Sequence, residues 1–112
     1  MEIFSYKEVK AQKAEEDSKG LWIRWLITKK LGAENFAMRL FEMKPKGYSP
    51  RHVHPWEHEV YILEGRGIIF GGGKEKEFKS GDVIFIPSNE EHQLKNTGTK
   101  TVKFLCLIPN IK

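Results

Sequence analysis

RHVHPWEHEVYILEG, residues Arg51 to Gly65, holds three of the four histidines in the chain, His52, His54 and His58, within seven positions. His52 and His54 are one residue apart, so on an extended strand both side chains leave the same face and Val53 leaves the other. They can converge on one ion. Pro55 and Trp56 then interrupt the strand, and His58 can reach the same point from the strand that follows. His92, the fourth, opens a later strand after the turn Ser88 to Glu91 and can complete the cluster if it faces inward. Three protonated histidines at contact distance repel one another strongly, whereas a shared cation keeps them as neutral donors. Neutral imidazole is the commonest side-chain ligand of divalent transition metals.

Outward from this stretch the chain reads as all-β, with period-2 apolar patterns, frequent turn signals and no sustained 3.6-residue stripe. Strands are expected at Leu21–Thr28, Asn35–Met43, Glu59–Leu63, Gly67–Phe70, Glu75–Phe78, Val83–Pro87, His92–Asn96 and Val102–Ile108. The turn Lys29–Glu34 contains Gly32, and KPKGYSP (Lys44–Pro50) is expected to break regular structure with two prolines and a glycine. Only Ala11–Asp17 suggests a helix. So many short strands, each needing backbone partners, imply a sandwich or barrel. Trp22 and Trp25 fall on opposite faces of one strand, one toward a core and one toward a rim or interface.

The 112 residues allow one domain and one core. Hydrophobic residues make up 39% and charged residues 30%, which suits a folded soluble chain. No apolar run approaches the roughly 20 residues that span a bilayer. The N-terminal residues do not read as a secretory signal, so a cytoplasmic location is expected. Cys106 is the single cysteine, which rules out an intramolecular disulfide framework. The net charge of +4 is spread among interleaved lysines and glutamates, and this argues against nucleic acid as a partner. Fifteen lysines and thirteen glutamates beside two glutamines lean toward a thermophilic source. FGGGKEKE around Lys74 lacks the spacing and setting of a phosphate loop and reads as a glycine hairpin.

Gly47–Gly65 resembles the first motif of the cupin superfamily: glycine, a spacer, HxH, an acidic ligand position, then glycine. Gly81, Pro87, Asn89, His92 and Asn96 resemble the second motif at every spacing, with Asn89 in place of a glycine. Asparagine is the mildest substitute where a turn needs positive φ. The place of the usual glutamate ligand falls on His58 if three residues intervene after His54, and on Glu59 if four do. His58 is preferred because the count onward to Gly65 then agrees as well. The chain thus resembles the small single-domain cupins with four histidines known from thermophilic bacteria.

That resemblance implies an all-β cupin barrel (double-stranded β-helix, or jelly roll) spanning 1–112. Residues 1–34 would supply N-terminal strands at a homodimer interface, and residues 35–110 the barrel with both motifs. It implies one divalent metal ion per chain on His52, His54, His58 and His92, with manganese the first choice, iron the second, and nickel, copper or zinc possible. Four neutral ligands leave the ion its full charge, and six-coordination leaves two positions open. Val102, Phe104, Cys106 and Ile108 share the face opposite Lys103, so Phe104 and Cys106 are candidates to line a cavity. No nucleophile stands out, since Ser49 and Ser88 lie in turns, and no catalytic residue is assigned.

Three functional classes follow. The first is a manganese- or iron-dependent oxidoreductase, dioxygenase-like, acting on a small organic substrate. The second is a non-redox isomerase or decarboxylase, and the third a small-molecule-binding protein without turnover. A sugar-phosphate enzyme would want several inward cations, and only Arg39, Arg51 and Arg66 are near enough to consider.

Overall fold

A computed structural model describes residues 1–110, so the last two residues of the expected domain lie outside the described part. Nine strands follow one another: β1 (Gln12–Lys13), β2 (Lys19–Ile27), β3 (Phe36–Tyr48), β4 (His58–Glu64), β5 (Arg66–Gly71), β6 (Lys74–Lys79), β7 (Val83–Ile86), β8 (His92–Asn96) and β9 (Val102–Pro109). They pair antiparallel in the order β6-β5-β8-β3-β9-β4-β7, with β2 on the other side of β3 and β1 at its edge. The all-β barrel expected from the strand pattern is the fold observed.

β3 is the pivot. Its first part, Phe36–Met43, runs between β2 and β9, while Tyr48 at its end pairs with Lys95 of β8 in the other half of the barrel. The passage between the two halves lies in the KPKGYSP segment. There the strand is not broken, as the prolines suggested, but bends: Lys46 takes φ of 67° and the register with β2 slips between Lys19 and Leu21. Gly47 is required at the bend, because a Cβ there would lie 2.7 Å from the carbonyl oxygens of Lys19 and Lys44. Ala11–Asp17 is also not helical. Gln12 and Lys13 pair with Ile23 and Trp22 instead, a case of strand pairing overriding weak local propensity.

Register decides what faces inward. Ala37, Arg39, Phe41 and Met43 of β3 stand directly opposite Ile108, Cys106, Phe104 and Val102 of β9, so these eight share the inner face. Leu21, Met43, Val60, Ile62, Phe78, Ile86, Leu94 and Val102 belong to the buried core, and Leu21, Val60, Ile86 and Leu94 of these also face the cavity at the barrel mouth. The outer face of β2 is covered by the N-terminal segment, where Arg24 donates to the carbonyls of Tyr6 (3.3 Å) and Val9 (2.6 Å) and pairs with Glu42 at 3.1 Å. Of the apolar residues of β2, Leu21 and Ile23 are buried within the chain, Trp22, Leu26 and Ile27 are half-buried, and Trp25 stays exposed. Trp22 lies under Lys13 on that outer side, and Trp25 stands over the barrel mouth.

Candidate metal centre

The connection from β3 to β4 carries His52 and His54 over the open end of the barrel. A backbone bridge between His52 and His92, with N to O distances of 3.0 and 2.9 Å, ties that connection to the start of β8. Asn89 supports the same region: its N–H donates to the His54 carbonyl at 2.7 Å, and it takes φ of 65°, the conformation for which its motif position normally carries glycine. Asn96 closes β8 by donating to the carbonyls of Met43 and Lys100 and accepting from the Gly98 N–H. Both motif asparagines thus do backbone work.

His58 begins β4 on its inner face and is 6% exposed; Glu59 points the other way and is exposed. His54, His58 and His92 each offer a ring nitrogen, and the three nitrogens lie within 4.8 Å of one another. Their rings meet edge to face or tilted, with His58 and His92 centroids 4.7 Å apart. His52 stands beside them. Its Nδ1 is 3.1 Å from His54 Nε2, and its Nε2 is 2.9 Å from a carboxylate oxygen of Glu15. In that arrangement His52 Nε2–H donates to Glu15, and His54 Nε2–H donates to His52 Nδ1. An ion bound through His54 Nε2 must replace the second of these bonds.

The electrostatics suit neutral donors. Burial is the main cause holding the His58 pKa down to about 3, followed by the repulsion that a protonated His92 would exert and by the Arg39 charge. Burial also lowers His54 and His92, although a hydrogen bond to the Glu90 carbonyl pulls His92 partly back. That bond is informative: His92 Nδ1–H donates to Glu90 O at 3.0 Å, so the lone pair belongs to Nε2 and the ring cannot turn away. His58 Nδ1 is buried without a hydrogen-bond partner among the described residues. A buried polar atom without a partner is costly, and a cation shared by neutral imidazoles nearby is a natural remedy. The residues present fit a divalent metal ion.

Beneath the histidines lies a cavity of about 530 Å³, walled by both halves of the barrel. Phe104 and Cys106 line it, in agreement with their position on the inner face of β9. Two further lining residues carry no local signal in the sequence. Glu15 arrives from the segment between β1 and β2, whose approach to the mouth no local motif announces. Arg39 is, by sequence, only one of three nearby cations; of these it alone lines the cavity, since Arg51 pairs with Glu91 at 3.3 Å and lies over Phe70, and Arg66 packs beside Gly98. Trp56 stacks on His54 with centroids 4.5 Å apart and rings within 9° of parallel. Ser49 also reaches the cavity, but its hydroxyl accepts the Leu94 N–H and so serves the backbone.

A family model described as "Cupin domain" matches residues 39–108. Among curated proteins, the oxalate-binding protein of Thermotoga maritima is 43% identical over 58 residues, which is 51% of this chain and 48% of that protein. The matched segments cover about half the length of such curated relatives. Among solved structures, the polyketide cyclase RemF from Streptomyces resistomycificus superposes with a TM-score of 0.90 at 36% identity, over 97% of this chain and 79% of that one. A predicted oxalate decarboxylase from Thermotoga maritima gives 0.86 at 27% identity, over 98% and 100%.

Proposed function

Since the chain belongs to the cupin family, we propose that it is a metal-dependent oxidoreductase, dioxygenase-like, acting on a small organic molecule held in the cavity below the histidines. The observation that carries this reading is the cluster of His54, His58 and His92 over a largely apolar cavity at the barrel mouth. His52 is taken as the fourth ligand once it gives up its bond to His54. Manganese is the first choice and iron the second. The ion, when bound, supplies Lewis acidity and, for these two metals, one-electron exchange. The chain does the rest: the Glu90 carbonyl holds the His92 ring, the Trp56 indole holds the His54 ring, and the walls of β2, β3 and β9 keep bulk water from a bound organic molecule. Burial raises the Cys106 pKa, so it presents a neutral thiol rather than a nucleophilic thiolate.

The test is metal analysis of protein purified without added metal, followed by oxygen uptake with catechols, diketones and phenolic alkenes. Retained manganese or iron with substrate-dependent oxygen consumption is the expected result. Retained metal with no oxygen or peroxide consumption, and the same reduction potential in His58→Glu as in the wild type, would move the reading to the non-redox class. A specific observation favours that second class: Arg39 supplies the inward cation that an isomerase, decarboxylase or cyclase of an anionic substrate would use, and RemF is a cyclase.

The same reading includes a cytoplasmic homodimer, for which residues 1–34 are the expected interface and an exposed apolar face on β4 and β7 is a second candidate. Tyr61, Leu63, Val83 and Phe85 are exposed on the outer face of β4 and β7, with Tyr61 directly opposite Val83. Light scattering at micromolar concentration is expected to give twice the chain mass. Phe85→Glu, which places a charge in that apolar face, is expected to shift the protein to monomer.

A further inference from the structure

The Arg39 guanidinium is built into the cavity wall in an unusual way. Its carbon lies 5.4 Å from the Trp25 ring centroid and 5.0 Å from that of Phe41, so the group is held between two aromatic faces. Nη2 donates to Cys106 Sγ at 3.0 Å. Among the described residues this is the one of the five arginine N–H donors with a hydrogen-bond partner, and the buried Nε has none. No carboxylate pairs with Arg39 among the described residues, although Arg24 and Arg51 each have one. The thiol beside it is neutral and offers only a weak acceptor. An oriented cation with spare donors, facing a cavity, is a receptor short of an anion.

Register sets the distance to the histidines. Arg39 pairs with Cys106, Cys106 pairs with Val60, and His58 lies two residues from Val60 on the same face of β4. Two strand spacings and two residues of rise put the Arg39 and His58 Cα atoms about 12 Å apart on the sheet. Both side chains reach into the cavity, which leaves room for a small acid between them. Among the described residues Arg39 is the one arginine that lines this cavity. Around it the lining is apolar, with Ile23, Phe41, Phe104 and Ile108.

We propose that Arg39 is a carboxylate-binding residue, and that the cavity takes an organic acid with an apolar body whose carboxylate sits on the guanidinium while its other end lies toward the histidines. A planar carboxylate matches the guanidinium fork, and a partly desolvated cation gains most from a charge-assisted pair. A phosphate ester, with two negative charges, would call for more than this one inward guanidinium. The proposal deepens the metal-centred reading by naming the substrate class, yet the carboxylate site rests on β3 and β9 and does not itself need the ion.

Calorimetric titration of phenylacetate and of its neutral counterpart phenylacetamide tests it, using wild type, Arg39→Gln and Arg39→Lys, each after chelator treatment and again after manganese loading. Wild type is expected to bind the acid about 10- to 100-fold more tightly than the amide. Arg39→Gln is expected to lose about that factor for the acid alone, with Arg39→Lys between. Equal binding of acid and amide by wild type, or equal binding of acid by wild type and Arg39→Gln, overturns the proposal. The acid-to-amide ratio in wild type decides the matter even if a variant does not fold. If chelator-treated protein shows the expected loss while no manganese is retained, the carboxylate site stands and the metal reading falls. Retained manganese with no effect of Arg39→Gln overturns the carboxylate site and leaves the metal reading standing.

Discussion

Alanine in place of His58 should yield a folded protein that no longer keeps a divalent ion through gel filtration. His58 is the most deeply buried of the clustered histidines and comes from a strand paired on both sides, which fixes its ring in the site. Loss of groups that merely orient ligands costs about 10- to 100-fold in metal affinity, and removal of a ligand should cost at least about 100-fold. The fold should survive, because the substitution also removes a buried Nδ1 that has no hydrogen-bond partner among the described residues. His52→Ala should weaken retention less, since His52 is engaged with Glu15 and stands beside the group of three. Metal content by mass spectrometry, with circular dichroism as the check on folding, measures both. Full metal occupancy in His58→Ala would remove His58 from the ligand set.

Acid should destabilise the metal-free protein well before carboxylates are fully protonated. His58 has a pKa of about 3 in the folded chain against an ordinary 6.5, so between those values the unfolded chain binds a proton that the folded chain refuses. Stability therefore rises with pH across this window; the contribution is complete above 6.5 and is lost as pH falls toward 3. At 1.36 kcal/mol per unit, moving from pH 7 to pH 4 removes about 3 kcal/mol through His58 alone. His54 and His92 shift in the same direction. Thermal melts of chelator-treated protein from pH 7 to pH 4 should show the midpoint falling by more than about 10 °C. His58→Leu should flatten much of that slope. A midpoint independent of pH over this range would show that the histidines titrate normally.

Much of the fold was legible because its strands alternate and its turns are marked. Val102, Phe104, Cys106 and Ile108 alternate cleanly against Lys103, so the inner face of β9 could be read directly. β3 gave no such signal: Ala37, Arg39, Phe41 and Met43 on one face and Met38, Leu40 and Glu42 on the other are equally mixed. Only the pairing of Arg39 with Cys106 turns the arginine inward, and pairing between residues 67 positions apart is invisible to local pattern. Leu40 is buried although it faces outward, opposite Arg24 of β2, which itself bonds to the N-terminal segment. KPKGYSP misled for a related reason. Proline and glycine usually end strands, but here they sit where a strand must turn from one half of the barrel to the other, which ordinary strand residues would resist.

The continuity of β3 ties the two halves of the barrel to a single piece of chain. Neither half can open while the other stays shut, because the backbone that lines one continues into the other. Closing the β3–β9 ladder also joins residue 36 to residue 109, a loop whose entropy must be met before the contacts reward it, so folding should be slow and unfolding all-or-none. His58 belongs to β4, beside β9, and His92 belongs to β8, on the far side of the bend. An ion shared by the two would be a rivet across the seam, sited where the halves must part for the chain to come undone, and its occupancy would set how long the folded molecule lasts.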